Sequence, residues 1–160
     1  MSGRALFLDR DGTLVVDVGY PRDPALVQLI PGALEALRDL EREFALVVVS
    51  NQSGIGRGLI TPAEAAAVDA RVRELFAAGG IEFAGVYHCP HAPDDHCTCR
   101  KPKPGMLEQA ARELDLDLAT SVIVGDKASD LEAGLAVGAR GVRFEGDWKA
   151  IKRALLREQG

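Results

Sequence analysis

Two acids, Asp9 and Asp11, end the apolar run in "LFLDRDGTLV" at residues 6–15, with Arg10 between them and Gly12 directly after. Taken alone, such a pair also suits a solvated turn, but carboxylates at this spacing can share a phosphoryl transfer. One attacks phosphorus, and the other gives a proton to the departing oxygen. A divalent cation between carboxylate and phosphate offsets their repulsion. Asp126, in "VGDKASD", supplies a further oxygen ligand of the kind a hard cation such as Mg²⁺ takes. A second chemistry sits elsewhere: all three cysteines, Cys89, Cys97 and Cys99, fall in "CPHAPDDHCTC" together with His91. Three thiolates and one imidazole make the closed tetrahedral set of a structural Zn²⁺ site. His88 and His96 are competing donors. The residues between the ligands are proline and polar, so a metal rather than a core would order this segment.

These residues need elements to hold them. Apolar strand candidates recur at residues 5–8, 45–49, 85–88, 122–124 and 141–144, with amphipathic stretches between them. That alternation predicts an α/β fold with a parallel sheet covered by helices. Ligands bind such a sheet at the carboxyl ends of its strands. Asp9 and Asp11, then Ser50 and Asn51, then Asp126 and Lys127 all follow predicted strands, and the cysteine segment leads to Arg100 and Lys101. The two-residue period puts Asp9 and Asp11 on one face, with Arg10 pointing the other way. Gly12 then allows a tight turn beside a phosphate. In "TPAEAAAVDARVRELF", Thr61, Pro62 and Glu64 form a helix start with a capping box. Periodicity alone places the other helices at 32–41, 105–114, 129–137 and 148–156. The irregular stretches are 15–30 and 90–104, and long loops in a compact domain usually carry function.

The 160 residues, 47% hydrophobic, suit one domain over 1–160. A net charge of -5 and a pI near 5.2 argue against nucleic acid or an anionic membrane as partner. No apolar run approaches the ~20 residues of a membrane span, and acids stand where a signal peptide needs an apolar core. A cytoplasmic protein is expected.

"DRDGTL", "VVVSNQSG", "RKPKPGM" and "VGDKASD" follow the order and spacing of the four motifs of the haloacid dehalogenase-like phosphatases, and the chain resembles that family from about residue 5 to 144. The resemblance implies a Rossmann-like three-layer sandwich with a mainly parallel sheet. It implies that Asp9 becomes an aspartyl phosphate and that Asp11 protonates the leaving oxygen, then acts as base toward water. Ser50 and Lys101 would hold the phosphoryl oxygens. Mg²⁺ would be held by Asp9, the backbone carbonyl of Asp11 and Asp126. Asp130 suits either a helix-start acid or support of the metal. The related enzymes place a histidine two residues after the first cysteine, which selects His91 as the fourth Zn²⁺ ligand. The zinc loop at 89–99 would then be a clasp that fixes Arg100 and Lys101 at the rim.

Within the family, "GYPRD", "NQSGIGRG" and "CPHAPDDHCTCRKPKPGM" resemble the branch that removes the 7-phosphate of a heptose 1,7-bisphosphate in nucleotide-activated heptose biosynthesis. Asp17, Gly19, Tyr20, Asn51, Gln52, Ser53, Arg57, Arg100 and Lys127 would contact the substrate, although Arg57 also suits a solvated loop. Excess positive charge fits a molecule with two phosphates. The related branch that acts on histidinol phosphate is the alternative, because the loop between His91 and Cys97 is shorter than in the heptose branch and closer to the length seen in that one. A phosphosugar-binding module without catalysis is a third, remote reading. No large cap domain fits after Thr13 or Ser53, so a fairly open site for a small phosphorylated molecule is expected, on a monomer.

Overall fold

The apolar runs become five strands, β1 (Ala5–Leu8), β2 (Ala45–Asn51), β3 (Gly85–Cys89), β4 (Val122–Gly125) and β5 (Arg140–Arg143). They form one parallel sheet in the order β3-β2-β1-β4-β5. The computed structural model describes residues 3–157. Among the described residues six α-helices accompany the strands: α1 (Ala33–Leu40), α2 (Ser53–Gly56), α3 (Pro62–Ala78), α4 (Gly105–Leu114) and α5 (Ala128–Leu135) between them, and α6 (Trp148–Arg157) after β5. The α/β reading from sequence holds. The central strand is β1, and the chain reverses its direction of growth beside it, the crevice where such sheets bind ligands.

The strand period sorts the core into two halves. Leu6, Leu8, Leu46 and Val48 pack with residues of α1, α3 and α6, among them Leu37, Phe76 and Trp148. Ala5, Phe7, Val47, Val49 and Ile123 pack with Met106 and Leu107 of α4 and Ala133 of α5. Helices therefore cover both faces of the sheet. That covering is why β1 and β4 are buried at every position and read as continuous apolar runs rather than alternating ones.

Element ends shift by one or two residues from the sequence expectation, for local reasons. β2 and β3 extend as far as the pair Asn51 and Cys89, because a parallel neighbour satisfies their backbone groups. α1 starts at Ala33 because Gly32, at φ 86°, adopts a left-handed conformation that no helix continues. β5 ends at Arg143, one residue before Phe144. The capping box of α3 forms as expected, with Glu64 N–H on Thr61 Oγ1 at 3.0 Å and Thr61 N–H on Glu64 Oε1 at 2.9 Å. The one-turn α2 is a correction: its Gly-Ile-Gly sequence shows no helical period. Among the described residues no helix is long and apolar enough to cross a membrane.

Candidate active site

The chain leaves β1 at Asp9 and turns at once. Thr13, Leu14 and Val15 all donate backbone hydrogen bonds to the Arg10 carbonyl, and Gly12 N–H donates to Val15 O at 2.8 Å. Gly12 makes the turn possible in two ways. Its φ is 87°, and a Cβ there would lie 2.5 Å from Asp126 Oδ2. The glycine thus brings the β1 loop against the end of β4. The Trp148 indole N–H, from α6, donates to Thr13 O at 2.8 Å and ties the loop to the helix behind it.

Arg10 departs from expectation. Its backbone position does direct it to the α3 side, but its guanidinium curls back onto Asp11. Arg10 Nε donates to Asp11 Oδ1 at 3.0 Å and Nη2 to Oδ2 at 3.2 Å, while Nη1 donates to Asp69 Oδ1 of α3 at 2.7 Å. Gln52 Nε2 reaches both Asp11 Oδ2, at 2.8 Å, and Ser50 Oγ, at 2.6 Å. Asp11 is therefore held from two sides. Asp69 was not legible because its contact with Arg10 joins residues 59 apart in sequence, and the Arg10 fork was not because strand alternation fixes only the direction in which a side chain leaves the backbone.

Lys101 is buried and fully engaged. Its Nζ donates to Asp9 Oδ1 at 2.9 Å, Val49 O at 2.7 Å and Asp130 Oδ1 at 2.5 Å. Burial opposes its charge, yet the carboxylates of Asp9 and Asp130 outweigh that and raise its pKa. For Asp9 the balance falls the other way: burial pushes its carboxyl up to about 7 despite the pull of Lys101. Asn51 fixes Lys101 from the backbone, accepting Lys101 N–H at 3.0 Å and donating to Lys101 O at 3.1 Å. Asn51 lines the cavity, but both ends of its amide face Lys101.

A carboxylate cluster, Asp9, Asp126 and Asp130, has one oxygen from each residue within 4.8 Å of the others. Asp126 Oδ1 is buried without a hydrogen-bond partner. An orphaned carboxylate oxygen beside two further carboxylates is what a hard cation satisfies, so this set fits Mg²⁺. Asp130 takes the helix-start role, one of the two that the sequence left open, and adds a contact with Lys101. Its Oδ2 accepts Lys127 N–H at 3.1 Å at the start of α5, and its Oδ1 faces Lys101.

Cys89, His91, Cys97 and Cys99 form the second cluster. His91 Nδ1 lies 3.4 Å from Cys89 Sγ and 3.3 Å from Cys99 Sγ, and Cys89 Sγ lies 3.6 Å from Cys97 Sγ. Burial and the neighbouring Cys99 thiol push the Cys89 thiol up, and a bound cation would let the clustered sulfurs ionise together. The donor set fits Zn²⁺. His88 does not share this cluster. Its Nδ1 lies 3.7 Å from Asp69 Oδ2 instead.

A cavity of about 630 Å³ opens above Asp9 and Asp11. Its walls include Asp17, Gly19, Tyr20, Asn51, Gln52, Ser53, Arg57, Arg100, Lys101, Lys127 and Asp130, so every residue expected to contact substrate borders one space. Arg100 Nη1 is buried with no partner. Gly19 N–H caps Asp17 Oδ1 at 2.8 Å, which shapes the flap that carries Tyr20. A Cβ on Gly54 would come within 2.9 Å of the Tyr20 ring, so this glycine admits the flap. Among the described residues, those between β1 and β2 hold only a short turn at Pro24–Leu26 and α1, with no inserted cap.

A parallel sheet with paired acids beyond its central strand, a buried lysine and a carboxylate at the next strand defines a haloacid dehalogenase-like hydrolase, and the HAD-hydrolase-like family model matches residues 98–145. Over 140 residues the chain is 46% identical to the D-glycero-beta-D-manno-heptose-1,7-bisphosphate 7-phosphatase of Yersinia pestis, covering 82% of this chain and 74% of that one. It is 43% identical over 140 residues to the enzyme of the same name from Escherichia coli K12, with 82% and 73% covered. The crystal structure of a D,D-heptose 1,7-bisphosphate phosphatase from B. bronchiseptica, complexed with magnesium and phosphate, superposes with a TM-score of 0.82 at 32% identity, covering 97% of this chain and 99% of that one. The chain belongs to this family of phosphatases within the haloacid dehalogenase-like hydrolases.

Proposed function

We propose that the protein hydrolyses the 7-phosphate of D-glycero-D-manno-heptose 1,7-bisphosphate, with Asp9 as nucleophile and Asp11 as general acid and base. The observation that carries this reading is the placement of both carboxylates under a cavity whose walls bear Arg57, Arg100 and Lys127. One phosphate would sit at Asp9, and the cationic wall suits the second. The relatives reported above act, by name, on this substrate, which favours it over histidinol phosphate.

The chemistry follows from the residues. An oxygen of Asp9 bonds to phosphorus as the bond from phosphorus to the sugar oxygen breaks, and Asp11 delivers its proton to that oxygen. Asp11 then takes a proton from the water that attacks the aspartyl phosphate. The Ser50 hydroxyl holds one phosphoryl oxygen and Lys101, exchanging its Asp9 contact for phosphate, holds another, where a fixed charge in a buried site stabilises the transition state. Asp9 and Asp126, with Asp130 beside them and the Asp11 carbonyl, would hold Mg²⁺, which supplies neutralisation of phosphate charge when bound. Zn²⁺ on Cys89, His91, Cys97 and Cys99 would be structural. The substrate reading is tested by comparing turnover of the heptose bisphosphate, histidinol phosphate and p-nitrophenyl phosphate by the wild type and by Asp9→Asn. The heptose bisphosphate should give the highest kcat/KM, and Asp9→Asn should abolish turnover of all three. Preference for histidinol phosphate would overturn the substrate assignment, and near-wild-type rates in Asp9→Asn would overturn the mechanism.

A further inference from the structure

Asp69 lies on α3, on the opposite side of the β1 end from Lys101 and Asp130, and the reaction above makes no use of it. Its carboxylate nevertheless reaches the site through one residue. Asp69 Oδ1 accepts Arg10 Nη1 at 2.7 Å, and the same guanidinium grips both oxygens of Asp11, through Nε at 3.0 Å and Nη2 at 3.2 Å. The Arg10 side chain is 3% exposed, against 18% for Asp11 and 20% for Asp69. A buried guanidinium is a rigid planar fork, and a carboxylate bound to it in two places has its own plane fixed. Asp11 alone cannot set that plane, and Gln52 Nε2, 2.8 Å from Oδ2, holds only one of its two oxygens. With Asp69 at the far end, the fork cannot slide along its axis. His88 Nδ1, 3.7 Å from Asp69 Oδ2, backs the aspartate from β3.

We propose that Asp69 is a positioning residue for catalysis: through Arg10 it locks the Asp11 carboxyl in the orientation that delivers a proton to the leaving oxygen. The proposal rests on the reading of Asp11 as general acid and goes beyond it, by assigning a remote α3 residue to the proton-transfer step. A sugar alkoxide is a strong base and cannot leave without that proton, whereas a nitrophenolate is a weak base that leaves unaided. Loss of Asp69 should therefore be felt according to the leaving group. A merely structural role would lower both reactions alike.

The test uses full-length Asp69→Asn, which keeps the shape and one acceptor oxygen, and Asp69→Ala. The readout is kcat/KM, which reports the steps up to departure of the leaving group and so excludes the later role of Asp11 toward water. With the sugar bisphosphate, Asp69→Ala should lose about 100-fold, the scale of a misplacement of about 1 Å. Asp69→Asn should lose less. With p-nitrophenyl phosphate both variants should stay within about threefold of wild type, because the loss follows only the proton that this substrate does not need. Equal losses on the two substrates, or no loss on the sugar, would overturn the proposal. If the wild type turned over aryl phosphate through Asp9 but neither sugar bisphosphate nor histidinol phosphate, the substrate reading would fail instead; the leaving-group comparison would then be run on a simple alkyl phosphate, with the same two outcomes deciding it.

Discussion

Asp9 and Asp11 differ in their surroundings far more than in their sequence context. Asp9 meets Lys101 in a buried pocket, whereas Asp11 is gripped by Arg10 and Gln52. Two identical side chains thereby sit in unlike surroundings, and the proposed reaction gives them unlike tasks. Gly12 sets the distance between the two halves of the site. Gly12→Ala would place a left-handed residue at a cost of about 1–2 kcal/mol. Its Cβ would also meet Asp126 Oδ2 at 2.5 Å. Weaker Mg²⁺ binding and at least a tenfold loss of kcat are expected, read from a Mg²⁺ titration of activity; an unchanged titration curve would mean that the Gly12–Asp126 approach carries no weight. Asn51→Ala should act on Lys101 rather than on the sugar, since both ends of the amide face the Lys101 backbone. The expected result is a drop of about 10-fold or more in kcat with a parallel loss of inorganic phosphate affinity, a misplacement effect. A rise in KM for the sugar with phosphate affinity intact would make Asn51 a substrate contact instead.

At the scale of elements, what the sequence made legible was whatever depends on short-range pattern. The five strands and the α3 capping box follow from apolar runs and from Thr61, Pro62 and Glu64, each visible within a few residues. The acids at the strand ends were legible for the same reason. Contacts that cross the sheet were not: Arg10 to Asp69, Trp148 to Thr13 and Asn51 to Lys101 each join residues that no local period relates. The cysteine loop lies between these cases: its candidate ligands were legible by type and a clasp is expected of it, whereas the hold of Asn51 on Lys101 was not legible. Lys101 follows Cys99 by two residues and is clamped to β2 by Asn51, so loop and sheet share the task of holding it. Cys99→Ser should therefore lose the metal and much of the activity while the sheet, whose core contains Leu6, Val48 and Phe76, stays folded. Elemental analysis, far-UV circular dichroism and turnover together decide it. Normal kinetics in a zinc-free protein would show that β2 alone suffices to place Lys101.

The whole molecule brings chain from β1, β2, β4 and the loop after β3 to one edge of one sheet, and the result is a concentration of like charge. Three carboxylates, Asp9, Asp126 and Asp130, cluster there, and Lys101 pairs with Asp9 and Asp130. Without a cation this edge carries uncompensated negative charge, partly relieved by the raised pKa of Asp9. A divalent ion should therefore stabilise the fold as well as permit the reaction. A ligand that binds only the folded state adds about 2.7 kcal/mol at a concentration 100 times its Kd. For a chain of this size that corresponds to roughly 5–10 °C in Tm. Mg²⁺ should give such a shift in wild type, and Asp126→Asn should remove most of it. Ca²⁺ separates stability from chemistry. It takes more oxygen ligands at longer distances, so it should raise Tm while failing to support turnover, because Asp9 is then misplaced relative to phosphorus. Thermal unfolding and initial rates on the same samples test both halves. A Tm indifferent to either ion would mean that Lys101 and protonation of Asp9 already balance the edge. Turnover with Ca²⁺ as fast as with Mg²⁺ would mean that the fold tolerates more freedom at Asp9 than its burial between Lys101 and Asp126 implies.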